Sequence, residues 1–199
     1  MIQRIGMFHL FILACLVYLG IGCQPKPPTR DFTPRELLVD PSWFPSDWRV
    51  VSGPRNAIQN RRQIDGAYLA LEIHEPFLLA QHEIFRYPSK QEAHDEFTRQ
   101  IPEEFFQATV IVPWRVPNEL PYASPVADQF RFACAVINLK GRTLLCDALG
   151  QYDEYISTFS IAMDLKYMTF TDLEYILKCI DERMARALGK PLPPSVTPP

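Results

Sequence analysis

The sequence predicts an α+β domain, in which an antiparallel sheet carries two main helices packed mainly on one face. Three observations lead there. Short stretches of alternating apolar and polar residues indicate strands, and two longer stretches with apolar residues at helical spacing indicate helices. Their order along the chain is strands, helix, strands, helix, which is typical of α+β domains.

The strands follow an irregular segment, 32–48, that three prolines interrupt and whose Trp43 and Trp48 are expected to fold back onto the domain. In chain order, strands are predicted at 49–51, 66–74, 78–87, 109–114, 130–138, 142–152 and 155–163. Segment 75–77, which contains Pro76, turns the chain between the second and third of them.

Both helices are predicted from a capping-box spacing, in which a Ser or Thr and a Glu three residues later satisfy free backbone N–H groups. Ser89 and Glu92 place one helix start near Lys90, and Pro102 is expected to end or kink that helix. Thr171 and Glu174 place the second start, and Gly189 with Pro191 stops this helix. Its apolar stripe consists of Leu173, Ile176, Leu177, Ile180, Met184 and Ala187.

The segment 130–152 predicts a hairpin whose loop length decides which cysteines meet. A three-residue loop, 139–141, places Cys134 directly opposite Cys146, whereas a two-residue loop would put the two on opposite faces. The apolar match across the strands favours the three-residue loop. We therefore expect a Cys134–Cys146 disulfide, with Cys179 as a buried, unpaired thiol.

The amino terminus predicts export and anchoring. An apolar run, 5–21, follows a short basic start and ends in Leu19-Gly20-Ile21-Gly22-Cys23. This stretch resembles the lipobox of bacterial lipoproteins, although Gly20 stands where that pattern usually has Leu. The resemblance implies that Cys23 is lipidated and anchors the protein to the cell membrane. Cys15 fits the pattern locally but would leave an apolar stretch exposed, and an uncleaved membrane anchor is the other alternative.

The resulting organisation is a signal peptide at 1–23, a Pro-rich tether at 24–34, one α+β domain at 35–190 and a Pro-rich flexible tail at 191–199. Lipid anchoring or an uncleaved anchor would both place the domain outside the cytoplasmic membrane, on the extracellular face or in the periplasm. Disulfides can form in that compartment. The membrane is thus the first expected partner.

Charge and motifs exclude several function classes. The net charge is −3 with basic residues scattered, so nucleic-acid binding is not expected. No hydrolase, nucleotide or zinc-protease motif occurs. Three histidines, His74, His82 and His94, are spaced so that a metal site is conceivable, but the predicted hairpin turns His82 to the core and His74 away, so neither metal nor cofactor is predicted. The acid pairs 103–104 and 153–154 are expected to be solvated charge.

The sequence therefore predicts a non-catalytic domain that binds a ligand or partner at the cell envelope: a protein, peptide, lipid or glycan. Its layout is loosely similar to small extracytoplasmic sensor or ligand-binding modules of bacterial lipoproteins and receptor kinases. Candidate contact residues are the aromatics Trp43, Trp48 and Trp114, which could stack on a ligand or belong to the core. The alternatives are an envelope hydrolase with an unrecognised active site and a structural assembly subunit.

Overall fold

One antiparallel sheet of seven strands organises the part of the chain that the computed structural model describes, which is residues 26–57, 62–105, 110–138 and 141–194. The strands are β1 (Arg49–Asn56), β2 (Asp65–Ile73), β3 (Leu78–Arg86), β4 (Val110–Arg115), β5 (Gln129–Asn138), β6 (Arg142–Tyr152) and β7 (Tyr155–Met163). Their order in the sheet is β1-β2-β3-β7-β6-β5-β4, so the last strand of the chain lies at the centre. The predicted α+β class is confirmed.

Two α-helices accompany the sheet: α1 (Lys90–Glu104) and α2 (Phe170–Leu188). Two short 3₁₀ turns, Pro34–Leu37 and Pro41–Trp43, precede β1. Within the described residues, neither helix combines the length and the apolar character that a membrane crossing requires. The lipobox with Cys15 and Cys23 lies outside the described residues, as do loop residues 139–140 and the tail residues 195–199.

The helix starts follow from capping side chains. Ser89 caps α1 as predicted, since its hydroxyl accepts a hydrogen bond from the Glu92 backbone N–H at 3.2 Å. The start of α2 was predicted two residues late. Thr169 is its cap, and the Asp172 carboxylate accepts a hydrogen bond from the Thr169 backbone N–H at 2.8 Å, so an Asp fills the place in which the pattern usually has Glu.

Helix ends also differ in part from the prediction. Helix α1 continues two residues past Pro102, to Glu104, although Pro102 has no N–H to donate to the carbonyl four residues earlier. Helix α2 ends as predicted, with Gly189 in the left-handed conformation at φ 66°.

The β5–β6 hairpin has the predicted register. Asn138 pairs with Arg142 across its base, Val136 pairs with Leu144, and Cys134 lies opposite Cys146. These two cysteines form a disulfide, and Cys179 is the free cysteine of the described residues. The number of residues in the loop therefore correctly predicted the disulfide between these neighbouring strands.

The two helices lie against opposite faces of the sheet, which corrects the expectation that both pack mainly on one face. Helix α2 and the 3₁₀ turns cover the face that carries Cys134, Cys146 and Ile161. Helix α1 covers the other face through Ala93 and Phe97, whose cluster also contains the strand residues Phe85, Leu149 and Ile156. The core is therefore split into two layers, as a sheet apolar on both faces requires.

The apolar stripe of α2 should account for a large share of the stability. Leu177 is 3% exposed within the larger core, so Leu177→Ala removes buried apolar surface and leaves a cavity. We expect a loss of about 2–5 kcal/mol in the free energy of unfolding, measured by denaturant titration. The neighbouring Lys178→Ala, which removes only a partly exposed ion pair with Glu174, should cost less than about 1 kcal/mol. Equal costs for the two variants would contradict the placement of α2.

Candidate ligand groove

A groove of about 590 Å³ runs between α2 and the described residues that precede β1, 26–48, which we call the N-terminal segment. The 3₁₀ turn Pro34–Leu37 forms one wall, because Leu37 is buried against the core and leaves Glu36 on the rim. One flank of α2 forms the other wall. The lining residues are Asp31, Phe32, Glu36, Leu37, Trp43, Tyr175, Cys179, Glu182, Arg183, Arg186 and Ala187. Its volume lies within the range common for small-ligand sites.

Trp43 and Arg183, which line the groove from its two walls, contact each other. The Arg183 guanidinium carbon stands 4.3 Å from the centroid of the Trp43 ring, a cation–π arrangement. The same guanidinium donates a hydrogen bond to the Leu38 carbonyl oxygen and lies 3.8 Å from the Asp40 carboxylate. Burial lowers the pKa of Arg183, while Asp40 opposes that shift. Arg183 thus joins the N-terminal segment to α2.

The rim of the groove carries charges of both signs. Arg186 donates to the Glu182 carboxylate one turn earlier on α2, and both side chains border the groove. Opposite them, Glu36 accepts hydrogen bonds from Thr33, with 3.0 Å to its backbone nitrogen and 2.9 Å to its hydroxyl. The groove therefore has an aromatic and aliphatic floor between acidic and basic edges.

The three tryptophans predicted as ligand contacts do not share a surface. Trp43 is half-buried in the groove, as described. Trp48 is 6% exposed and packs against Phe44 with ring centroids 5.6 Å apart, so it belongs to the core. Trp114 lies in the core layer of α1, edge-on to Phe105. Only Trp43 of the three borders this groove.

Cys179 lines the groove from α2 and is 7% exposed. Burial raises the pKa of its thiol, and a hydrogen bond with Tyr175 only partly offsets that rise. A thiol with a raised pKa is mostly protonated near neutral pH and is a poor nucleophile. Cys179 therefore serves as apolar lining.

His82 and Ser157 form a histidine–hydroxyl pair, but its arrangement is not that of a catalytic base. The Nδ1 atom accepts the Val39 backbone N–H at 2.9 Å, so the ring proton of neutral His82 is on Nε2 and is donated to Ser157 Oγ at 2.8 Å. A base that activates serine needs Nε2 unprotonated. Both residues are buried, and burial lowers the pKa of His82 to about 3. The pair ties the N-terminal segment to the sheet.

Asp181 of α2 is a second buried polar centre. Its carboxylate accepts hydrogen bonds from the hydroxyls of Tyr122 and Ser124 at 2.6 Å each and of Tyr152 at 2.7 Å. Burial raises the pKa of Asp181, and these hydroxyls oppose the rise. The cluster connects the segment between β4 and β5 to α2 and β6. The hydrogen bonds of Asp181 therefore have a structural role.

The histidines considered for metal binding are dispersed. His82 is in the core, His74 is 70% exposed at the β2–β3 turn, and His94 lies on α1 beside Gln129. In the described ranges, no group of three or more His, Cys, Asp or Glu side chains converges as metal ligands would.

The acid pair Asp153–Glu154 is not solvated charge, which corrects the expectation for it. Glu154 is 2% exposed and accepts two hydrogen bonds from Arg30, at 2.8 and 2.6 Å, while Arg86 lies 3.3 Å away. Burial by itself raises the pKa of Glu154, but the hydrogen bonds and charge of Arg30 hold it below its ordinary value. No local sequence pattern predicts the ion pair of Arg30 with Glu154, because these two residues are 124 positions apart.

Comparisons with known protein families, with curated proteins and with solved structures found no match for this chain.

His82 should make the stability sensitive to acid. The unfolded chain takes up a proton near the ordinary pKa of 6.5, whereas the folded chain does so only near about 3. The contribution of His82 is therefore complete above pH 6.5 and is lost as the pH falls toward 3, by up to about 1.4 kcal/mol per pH unit.

The test is the slope of the unfolding free energy between pH 7 and pH 5, a window above the ordinary pKa of the carboxylates. His82→Gln should lower the stability at pH 7 and flatten this slope. The exposed His74 provides the control, since His74→Gln should leave the slope as in the wild type. An unchanged slope in His82→Gln would show that His82 is not the acid-sensitive group.

Proposed function

We propose that this protein is a lipid-anchored, extracytoplasmic binding domain that takes up a peptide segment of an envelope partner in the groove between its N-terminal segment and α2. The observation that carries the proposal is the groove itself, which is lined by the contacting pair Trp43 and Arg183 and by charged side chains of both signs. The role is recognition and not catalysis.

A peptide fits this lining better than the other ligand classes. Sugars stack on free aromatic faces, but Trp43 packs against the core and lies under the Arg183 guanidinium. An acyl chain would favour an uncharged lining, whereas three acidic and two basic side chains line this groove. A peptide offers apolar side chains for the floor together with backbone and charged groups for the rim.

The extracytoplasmic location is supported by two independent features. The Cys134–Cys146 disulfide is typical of proteins outside the reducing cytoplasm. The amino-terminal stretch that ends in Cys23 resembles a lipoprotein export signal. Both features favour a domain that is held at the outer side of a membrane and meets its partner there.

Photocrosslinking in intact cells tests the groove. A genetically encoded diazirine at Glu36, on the groove rim, should give a discrete adduct with a protein partner, and Trp43→Ala should reduce its yield at least severalfold. The control position is Thr98, which is exposed on α1 and faces away from the groove. An adduct that carries a glycan or lipid mass would contradict the peptide assignment, and equal adducts from both positions would contradict the groove.

Metabolic labelling with an alkyne fatty acid tests the anchor. Cys23→Ser should abolish labelling and release the protein from the membrane fraction, since stable anchoring depends on the lipid chains that Cys23 carries. Cys15→Ser is the matched control and should retain full labelling. Persistent labelling of Cys23→Ser would refute the anchor site and leave the groove assignment untouched.

A further inference from the structure

We infer that the end of the sheet that carries the β6–β7 turn faces the lipid headgroups, because the chain is docked onto that end only a few residues after the anchor. This inference rests on the proposed anchor at Cys23.

Partly buried arginines attach the chain around residues 28–30 to this end of the sheet. Arg30 forms its two hydrogen bonds with Glu154, in the β6–β7 turn, and the Arg30 side chain is 19% exposed. Arg86, at the end of β3, donates to the Pro28 carbonyl oxygen and also reaches Glu154. The expected free tether of residues 24–34 is thus attached to the domain from Pro28 onward.

Further charges surround this point and complete what we call the charge cluster. Lys90 at the start of α1 and Lys190 after α2 both bind Asp128, at 2.7 and 3.2 Å. Both lysines also lie within 3.7 Å of Asp153 in the turn. The cluster consists of Arg30, Arg86, Lys90, Lys190, Asp128, Asp153 and Glu154. The ends of β3, β6 and α2 and the beginnings of α1, β5 and β7 therefore meet at this end of the sheet.

Chain length then limits the distance to the membrane. Five residue steps separate Cys23 from Pro28, and a fully extended chain covers at most about 18 Å in five steps. The opposite end of the sheet, where β6 begins at Arg142, lies about 30 Å further away along the strands. If lipids hold Cys23 in the bilayer, the chain keeps the end with the charge cluster within about 18 Å of that anchor, whereas it holds the end at Arg142 by no such short connection.

The cluster does not attract the membrane strongly by itself. Its four basic and three acidic groups nearly cancel, and each acid is paired within the cluster. The orientation is therefore set by the docked chain and not by electrostatic adsorption. One consequence is that the groove, whose lining includes Asp31 next to Arg30, opens beside the headgroup layer.

Energy transfer to acceptor lipids tests the orientation. The full-length protein is purified from its membrane and reconstituted in vesicles that contain a rhodamine-labelled lipid. A donor dye is attached through an encoded azide either at Gln91, exposed in the first turn of α1 beside the cluster, or at Arg142, at the far end. We expect at least twofold higher transfer efficiency from Gln91, in neutral vesicles and in vesicles with anionic lipid alike.

Arg30→Gln should reduce that difference, because the chain would then be held at this end of the sheet only by the Arg86 hydrogen bond to the Pro28 carbonyl oxygen and by Phe32, which packs against Tyr155 with ring centroids 5.8 Å apart. Arg35→Gln makes the same charge change in the same segment but removes only an exposed hydrogen bond to Asn56, so it should retain the difference. Near-ultraviolet circular dichroism of each variant verifies that the domain remains folded.

The outcomes separate this inference from the anchor itself. Acylated protein with equal transfer from both positions, or a difference that Arg30→Gln leaves intact, overturns the docked orientation alone. A difference seen only with anionic lipid shows adsorption and also overturns it. Protein whose mass shows no acyl chains at Cys23 overturns the anchor and the orientation with it.

Discussion

The register of the β5–β6–β7 meander is the constraint on which the rest of this structure depends. Residue-by-residue pairing puts Cys134, Cys146 and Ile161 on one face, and Ala135, Leu145 and Ala162 on the other. A slip of one residue would exchange the two faces along a whole strand. The disulfide fixes the first pair covalently, and β7 extends the register to β3 on its other side. Both core layers, and thus the places of both helices, follow from this alignment.

Local chemistry made much of the fold predictable from the sequence. A capping serine, a stripe of apolar residues and the parity of a hairpin loop each involve residues close together in the chain. The predicted pairing of Cys134 with Cys146 needed only a residue count across one loop. The predicted β2–β3 hairpin likewise turned His82 to the core, and the structure has it there, with Ile73 paired to Leu78 next to the turn.

The face that each helix covers could not be predicted in this way. Both sides of β5 and β6 are apolar, since Ala133 and Leu149 on one side are as apolar as Phe132 and Ala148 on the other. An amphipathic helix can bury its stripe against either side of such a sheet. Contacts between segments distant in the chain decide between them, and these leave no periodic pattern in the sequence.

Of the residues that line the candidate groove, the sequence predicted only Trp43 as a ligand contact. Trp43 was named because it is aromatic, while Arg183, its partner 140 positions later, carries no pattern that connects the two. Trp48 is the same residue type five positions away, yet it is buried. Composition thus identifies candidates for a site, and the packing of the N-terminal segment on α2 selects among them.

Two buried carboxylates show how this packing is specified. Asp181 is held by three neutral hydroxyls, and burial raises its pKa although their hydrogen bonds favour the ionised form. Glu154 is held by two guanidinium groups, and its pKa is lowered, so it remains ionised. Buried ion pairs contribute little net stability, because desolvation offsets most of the attraction, but an unpaired charge at the same place costs several kcal/mol. An arrangement in which Arg30 is elsewhere leaves Glu154 with only the longer contact to Arg86, at 3.3 Å, and is penalised for that reason. Glu154 therefore acts less as a source of stability than as a determinant of where the N-terminal segment lies, and the position of that segment in turn forms one wall of the groove.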